Sequence, residues 1–335
     1  MSTRTLAVDA LRALIRDALI AHDTAQGNAE QVADALVAAE IDGQSGHGAS
    51  RVPSYAAQSR SGKVDGHATP ALERVGAAAL RVDARCGFAY PAINLAVAAL
   101  APLAREAGIA AAEIADSHHS GVAGHPVEAL ARVGLIALYF GNGPQGIAPW
   151  GGNRGLFGTN PIAFAAPRAG GEHLLIDMGL SKVARGKVNV AAQKGESIPE
   201  GWAVDAQGRP TTDARAAMAG TMLPMGDAKG AQLVLMVEIL AAALSAAHFG
   251  YEASSFFTGE GEAPRVGQLL IAIDPAPFSG GRFGARLEDL LAAILDQPGT
   301  RLPGTRRFAL RERAAREGLS LPASLYEQLL ALQSG

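Results

Sequence analysis

Disulfide chemistry is excluded at once. The 335 residues hold one cysteine, Cys86, so no internal bridge staples the fold, and a reducing compartment suits the chain. Cys86 precedes Gly87 in a strand-to-loop passage and reads as incidental rather than as a catalytic thiol. No apolar run reaches the ~18 residues of a membrane span, and Met1 to Ala7 lack an apolar signal core. A cytoplasmic protein without a membrane contact is therefore expected. Basic runs are absent too, and a formal charge of −3 argues against a nucleic-acid binder. Repeats, low-complexity tracts and long linkers are also missing. With 48% hydrophobic and 18% charged residues, the chain has material for a substantial core, and its length suggests two domains.

What is abundant is glycine, concentrated in Trp150-Gly151-Gly152-Asn153-Arg154-Gly155-Leu156-Phe157-Gly158-Thr159-Asn160-Pro161. This stretch is too rich in glycine for a regular element, and it leads into the strand-like Ile162 to Ala166. Its density of hydrogen-bonding side chains favours a functional loop over a plain turn.

The rest of the chain alternates. Val8 to Ile41 reads as two amphipathic helices, with Leu11, Leu14, Ile15, Ala18 and Leu19 on one face and Val32, Ala35, Leu36 and Ala39 on another. Asp23 or Thr24 is placed to cap the second helix. In Gly46-His47-Gly48-Ala49-Ser50-Arg51 the two glycines leave the His47 ring free to reach a ligand. Arg51, four residues on, shares its face if a helix begins here. The same spacing fits a helix-capping turn with a surface histidine. Strands are expected at Val75 to Val82, Ile109 to Ile114, Leu135 to Phe140, Leu174 to Met178 and Gly267 to Asp274. Helices are expected at Tyr90 to Ala107, Pro126 to Val133, Gly230 to Ala247, Arg286 to Leu295, Ala309 to Gly318 and Pro322 to Leu332. Gly201 to Asp213 reads as a polar surface excursion. Alternation of this kind indicates an α/β fold.

Gly141-Asn142-Gly143-Pro144-Gln145-Gly146 matches the dinucleotide pattern G-x-G-x-x-G, but it is rejected as one. Pro149, Trp150, Gly151 and Gly152 prevent a helix from opening after it, and no acidic residue follows about 20 positions on. Lys182, Arg185 and Lys187 form either a solvated turn or a site for a phosphate or carboxylate. Lys229, at the start of a helix, is a candidate anion site.

Read together, these segments resemble the malate/L-lactate dehydrogenase family that is unrelated to the Rossmann-type enzymes. That family also holds sulfolactate, ureidoglycolate and diketogulonate dehydrogenases or reductases and the cyclic ketimine reductases. The resemblance runs from about Leu6 to Arg307. It rests on His47-Gly48 with Arg51, Ser117 with His119 and Gly121, Ala148-Pro149-Trp150-Gly151-Gly152, Gly158-Thr159-Asn160-Pro161, Asp177-Met178, Ala184-Arg185-Gly186-Lys187, Lys229-Gly230 and Pro303-Gly304.

The resemblance implies a mixed α/β fold with a non-Rossmann cofactor domain, NAD or NADP as cofactor, and a homodimer. It also implies a helical domain of residues 1–72 joined by C-terminal helices 286–335, beside a central α/β domain of residues 73–285. His47 becomes the acid/base, with His119 as a second catalytic candidate. Arg51 would hold the substrate carboxylate, and Thr159, Arg185 and Gly186 would complete the pocket. Cofactor contacts would fall on His119, Ser120, Gly121, Val122, Ala123, Ile176, Asp177, Met178, Gly179, Leu180, Ser181, Ala228, Lys229, Gly304, Thr305 and Arg306.

The residue types suit the chemistry. Interconverting a small 2-hydroxy acid and its 2-oxo acid needs a proton acceptor that titrates near neutrality, which is imidazole. It also needs a planar fork for the carboxylate, which is guanidinium. This chain departs from the family in having Gly46 where most members carry serine, Ser120 where an aromatic is common, and Thr305 where glutamate is frequent. If Arg51, Arg185 and Lys187 converge, a dianion such as malate or sulfolactate is expected over lactate or a ketimine acid. Two readings from other classes compete. One is a metal-dependent hydrolase or aldolase using Asp116, His118, His119 and His125; the other is a non-catalytic binding protein. Adjacent histidines rarely share one ion, so no metal is expected.

Overall fold

The computed structural model describes residues 2–169 and 172–333. A short strand, β1 (Thr3–Leu6), leads into α1 (Val8–Ile20), α2 (Gln26–Ile41) and α3 (Val52–Arg60). All five expected apolar positions of α1 are buried, as are Val32, Leu36 and Ala39 of α2, while Ala35 is half-buried. Neither Asp23 nor Thr24 caps α2. Asp23 takes a left-handed φ of 62° and pairs with His67, and the Thr24 hydroxyl bonds that of Ser59. Tertiary partners displaced the local cap.

Next come β2 (Ala71–Gly76), β3 (Ala79–Asp83), α4 (Ala89–Ala107), β4 (Ile109–Ser117), α5 (Gly124–Arg132), β5 (Ile136–Gly141), β6 (Ile162–Ala166) and β7 (Leu174–Met178). The single strand expected over Val75 to Val82 is instead an antiparallel hairpin of β2 and β3. Its turn at Ala77-Ala78 lacks the usual turn residues, which hid it. Gly141 to Gly146 opens no helix, as argued. The chain continues with α6 (Arg185–Lys194), β8 (Ala203–Val204), β9 (Pro210–Thr211), α7 (Ala214–Ala219), β10 (Thr221–Met222) and α8 (Asp227–Glu238). The excursion expected over Gly201 to Asp213 is thus a small sheet, in the order β10-β8-β9. It shares a core of Val183, Val188, Ile198, Ala203, Ala214 and Ala217 with α6 and α7. The helix expected to Ala247 changes to a π-turn over Ile239–Ala243.

The last elements are β11 (Val266–Ile273), α9 (Pro275–Ser279), α10 (Phe283–Leu295), α11 (Thr305–Glu317), β12 (Leu319–Pro322) and α12 (Ala323–Leu332). The main sheet runs β2-β3-β4-β11-β5-β6-β7, with only β3 and β4 parallel. Side chains of β11 alternate, Leu270 and Ala272 joining the α4–α5 core and Leu269 the α8 core. A register shift between Val266 and Gln268 falls where β4 ends at Ser117, just before His118-His119. The fold is mixed α/β.

Strand β1 pairs with β12, and Ala314, Leu319, Leu321 and Leu329 complete the core of α1–α3. Helix α10, assigned above to the terminal helices, instead packs Leu287 and Leu291 on Ala166 and Leu174 at the β6–β7 edge. Its apolar stripe said that it must pack, not on what. We propose the terminal helices with α11 and α12 as one unit, and the sheet with α10 as the other.

Candidate active site

The segment after α2 is not the start of a helix but two 3₁₀ turns, Ser45–His47 and Ala49–Arg51. A buried carboxylate shapes it: Glu40 Oε1 accepts from the Ala49 N–H at 2.8 Å. A Cβ on Gly48 would stand 2.3 Å from that oxygen, so only glycine admits the approach. Burial pushes the Glu40 carboxyl up, although the Ala49 and Ser45 hydrogen bonds oppose it. Arg51 Nε donates to Gly46 O at 2.7 Å, and its guanidinium carbon lies 4.5 Å from the Phe257 ring centre. The Nη1 of Arg51 is buried without a hydrogen-bond partner among the described residues.

Facing these turns is the end of β4. His47 Nδ1 lies 3.2 Å from His119 Nε2, the rings nearly parallel at 5.2 Å. His119 Nδ1 lies 2.6 Å from the Tyr55 hydroxyl of α3, which lies 3.2 Å from the Tyr90 hydroxyl of α4. Both nitrogens of His119 are therefore engaged, whereas Nε2 of half-buried His47 makes no hydrogen bond among the described residues. His118 is held elsewhere, 2.8 Å from Gln58 Oε1 and edged by Tyr55, Phe88 and Phe256.

These rings are kept neutral. Burial, then the Arg51 charge, lowers His47 to about 4 and His118 to about 3, and holds His119 well below its usual value. Unfolded, each would titrate near the ordinary 6.5, so the unfolded chain binds more protons as pH falls. Stability contributed by the neutral rings is complete above that value and declines below it. Calorimetry should show Tm falling as pH is lowered from about 6.5 towards the folded His47 value of about 4, with proton uptake on unfolding. A flat Tm across that window would mean that the rings are already charged in the fold.

A second polar layer joins α2, α5, β7 and α11. Arg311 makes paired contacts to Asp42 (2.6 and 2.9 Å) and also binds Glu128, while His125 Nε2 lies 3.0 Å from Asp42. Burial pushes Asp42 up, but Arg311 and His125 outweigh it and hold the carboxyl below its usual value. Arg307 donates to Asp177 at 2.9 Å, and Asp177 also accepts from the Gly124 N–H. Arg307 Nη1 has no hydrogen-bond partner among the described residues. Asp116 binds Arg265 at 2.6 Å. The four members of the metal reading are thus committed to separate partners, and no metal-binding group occurs among the described residues.

The candidate cofactor segments adjoin one another. Val122 and Ala123 are buried behind the left-handed Gly121, and Asp177 reaches back to Gly124. The Leu180 N–H donates to Thr159 O, and the Met225 N–H to Leu180 O, which links Ile176 to Ser181 with Thr159 and with the start of α8. Ala228 and exposed Lys229 lie in that first turn. Gly304 sits against Leu175 of β7, with Thr305 and Arg306 exposed beyond it. Among the described residues Arg185 bonds Met218 O (3.3 Å) and Gln145 O (3.5 Å), Gly186 is open, and neither makes a hydrogen bond to Arg51.

Several residues of the site escaped the sequence reading. Glu238, 2% exposed, accepts from Asn160 Nδ2 at 2.7 Å, from the Gly250 N–H at 2.6 Å and from Asn142 Nδ2 at 3.2 Å. It holds the Gly158–Pro161 loop and the rejected glycine motif together, with Asn160 at a φ of 40°. Tyr55, Tyr90, Phe256, Glu40 and Arg307 were also missed.

The sequence profile described as malate/L-lactate dehydrogenase matches residues 6–330. The chain belongs to this family. Among members of the malate/L-lactate dehydrogenase family, it is 56% identical over 327 residues to a (2R)-3-sulfolactate dehydrogenase (NADP(+)) of Chromohalobacter salexigens, covering 98% of this chain and 95% of that one. The Δ1-piperideine-2-carboxylate reductase structure of Pseudomonas syringae aligns with a TM-score of 0.93 at 41% identity, over 98% of this chain and 99% of that one. A sulfolactate dehydrogenase structure from Methanocaldococcus jannaschii gives 0.91 at 28% identity, over 99% and 97%. The chain is accordingly an oxidoreductase acting on a small 2-hydroxy or 2-oxo acid with a nicotinamide cofactor. Among the described residues no helix is long and apolar enough to cross a membrane.

Proposed function

We propose that this enzyme interconverts (2R)-3-sulfolactate and sulfopyruvate with NADP. The observation that carries the reading is the 56% identity, across nearly the whole chain, to the NADP-dependent sulfolactate enzyme. His47 is the acid/base, because its Nε2 is the unengaged nitrogen of the histidine pair. Arg51 takes the carboxylate through Nη1, which lacks a partner of its own among the described residues. The second acid group of the substrate is met by Arg185 with Gly186, with Thr159 supporting the pocket wall.

The fit to a nicotinamide dinucleotide rests on Arg307 Nη1, a buried cationic donor without a partner among the described residues and suited to a phosphate, beside Gly124, where a Cβ would stand 2.5 Å from it, and one turn on from Gly304. We assign cofactor contacts to Ser120 to Ala123, Ile176 to Ser181, Ala228-Lys229 and Gly304 to Arg307. When bound, the nicotinamide supplies the hydride chemistry at the 2-carbon. The chain's own part is to fix the carboxylate on Arg51 and to hold His47 within reach of the 2-oxygen.

A dianion is matched better than a monoanion, one charge-assisted contact being worth roughly 1.5–3 kcal/mol, or about 10–150-fold in kcat/KM. Sulfopyruvate should therefore exceed pyruvate, with NADPH preferred over NADH, when kcat/KM is measured at the reduced-nicotinamide absorbance. A cyclic ketimine acid is the second reading, favoured by the 41% identity to the Pseudomonas syringae enzyme. Pyruvate or piperideine-2-carboxylate leading by more than about tenfold would remove the dianion reading. We further propose a cytoplasmic location, in keeping with the single cysteine, and a homodimer, supported by the exposed Leu233, Leu235, Met236, Ile239 and Leu244 on and after α8. Sedimentation measures it.

A further inference from the structure

We propose that His47, His119, Tyr55 and Tyr90 form a proton wire, which carries the proton of the reaction between the substrate's 2-oxygen and a cavity between α2, α4, α5 and α11. It rests on His47 being the acid/base of the function proposed above. Three links at 3.2, 2.6 and 3.2 Å join four side chains without a gap. All three lie at or near hydrogen-bond length. One end is the free Nε2 of His47. The other is Tyr90, which lines a cavity of about 610 Å³ together with Asp42 and His125, and with Ser120 and Val122 of the segment assigned above to the cofactor. His47, Arg51 and His119 do not line it. Between the ends lie Tyr55, fully buried, and His119, 8% exposed, so no water is needed to complete the path.

A wire answers a difficulty that the site creates. A proton taken by His47 would leave an imidazolium beside Arg51, a charge that burial and Arg51 both oppose. Passing a proton on from Nδ1 removes it. Burial holds both phenols protonated at neutrality, Tyr90 pushed up to about 12, so each relays through its O–H and not as a phenolate.

In oxidation the C–H bond of the alcohol carbon breaks and its electron pair leaves as hydride to the oxidised nicotinamide. The O–H bond breaks, C=O forms, and the hydroxyl proton goes to His47 Nε2. The His47 Nδ1 proton moves to His119 Nε2, the His119 Nδ1 proton to the Tyr55 oxygen, the Tyr55 proton to the Tyr90 oxygen, and the Tyr90 proton to water in the cavity. Each member gains one proton and loses one, and none ends charged. Reduction runs the same transfers backwards. The two directions need the two opposite orientations of one chain. In each orientation both histidines carry the same tautomer, both Nδ1–H for oxidation and both Nε2–H for reduction.

Two arms test the wire. In the cofactor-free protein, long-range ¹⁵N–¹H spectra should show His47 and His119 in matching neutral tautomers, with Tyr55→Phe shifting the His119 Nδ1 signal. In the loaded enzyme, with a 4-deuterated cofactor showing that hydride transfer limits the rate, the wild type should give a curved proton inventory in mixed light and heavy water. Tyr55→Phe and Tyr90→Phe should each lower kcat by at least about tenfold, keep KM within about twofold, and make the inventory linear. A loss of stability alone would leave the inventory curved. Opposite tautomers, or both variants retaining wild-type kcat and a curved inventory, would overturn the wire. A protein that reduces no 2-oxo acid with either cofactor would defeat the functional reading instead, and the tautomer arm would still report on the chain of bonds.

Discussion

His47→Ala is expected to lower kcat by about 10²–10⁴-fold and to leave cofactor affinity nearly unchanged. The range is the usual contribution of a positioned acid/base. Its assignment to His47 rather than His119 follows from the bonds each ring already makes. His119 has spent both nitrogens, on His47 and on Tyr55, while His47 keeps Nε2 free. His119→Ala should also be slow, because it removes the partner that orients His47 and opens a hole beside Phe256. The two variants differ in stability: His119 is buried and the larger loss of Tm should follow its removal. Steady-state kinetics with cofactor titration by fluorescence makes the comparison. Turnover near wild type for His47→Ala, with His119→Ala dead, would exchange the two roles.

Arg51→Lys should lower kcat/KM at least tenfold for every acid substrate, about 1.4 kcal/mol or more. The change keeps the charge and removes the geometry. Nε is tied to Gly46 O and the plane lies on Phe257, which leaves Nη1 as a fixed donor. An ammonium has no plane to stack and no Nε to tie, so its position would be set by the substrate, at an entropic cost. Because Arg51 also helps to hold the three histidines neutral, neutral Arg51→Met should raise the His47 titration while Arg51→Lys should not. An unchanged KM for all acids tested in Arg51→Lys would take Arg51 out of the substrate site.

Local pattern was enough for much of the fold. The strands Ile162–Ala166 and Leu174–Met178 fall where apolar runs between turn residues put them, and the buried face of α1 is the one its periodicity marks. Where context overruled pattern, the reason is visible. Ala77-Ala78 turns without turn chemistry because β3 is drawn into parallel pairing with β4. The short strands of the β8–β10 sheet are two residues each, too brief to show a period. The cations of Ser181 to Lys187 looked alike in sequence, and only tertiary contacts separate Arg185, bonded to backbone oxygens, from exposed Lys187.

For the site, the groups proposed to react were already candidates in the sequence: His47 between glycines, Arg51 four residues on, His119 after a strand, and Thr159 in a glycine-rich loop. Those are short motifs, readable because neighbouring residues leave room or supply turns. The supporting groups were decided only by the tertiary structure. Tyr55 and His119 are 64 residues apart, Asn160 and Glu238 are 78 apart, and Arg307 and Asp177 are 130 apart. Each is an ordinary core or helix residue in its own segment. A tyrosine on a helix face reads as core, and Tyr55 is core; its hydroxyl joins the proposed relay because β4, paired with β11 up to Ser117, delivers His119 to α3. Hydrogen bonds between distant segments leave no period in the sequence, so the partners of a reactive group stay hidden until the chain is folded.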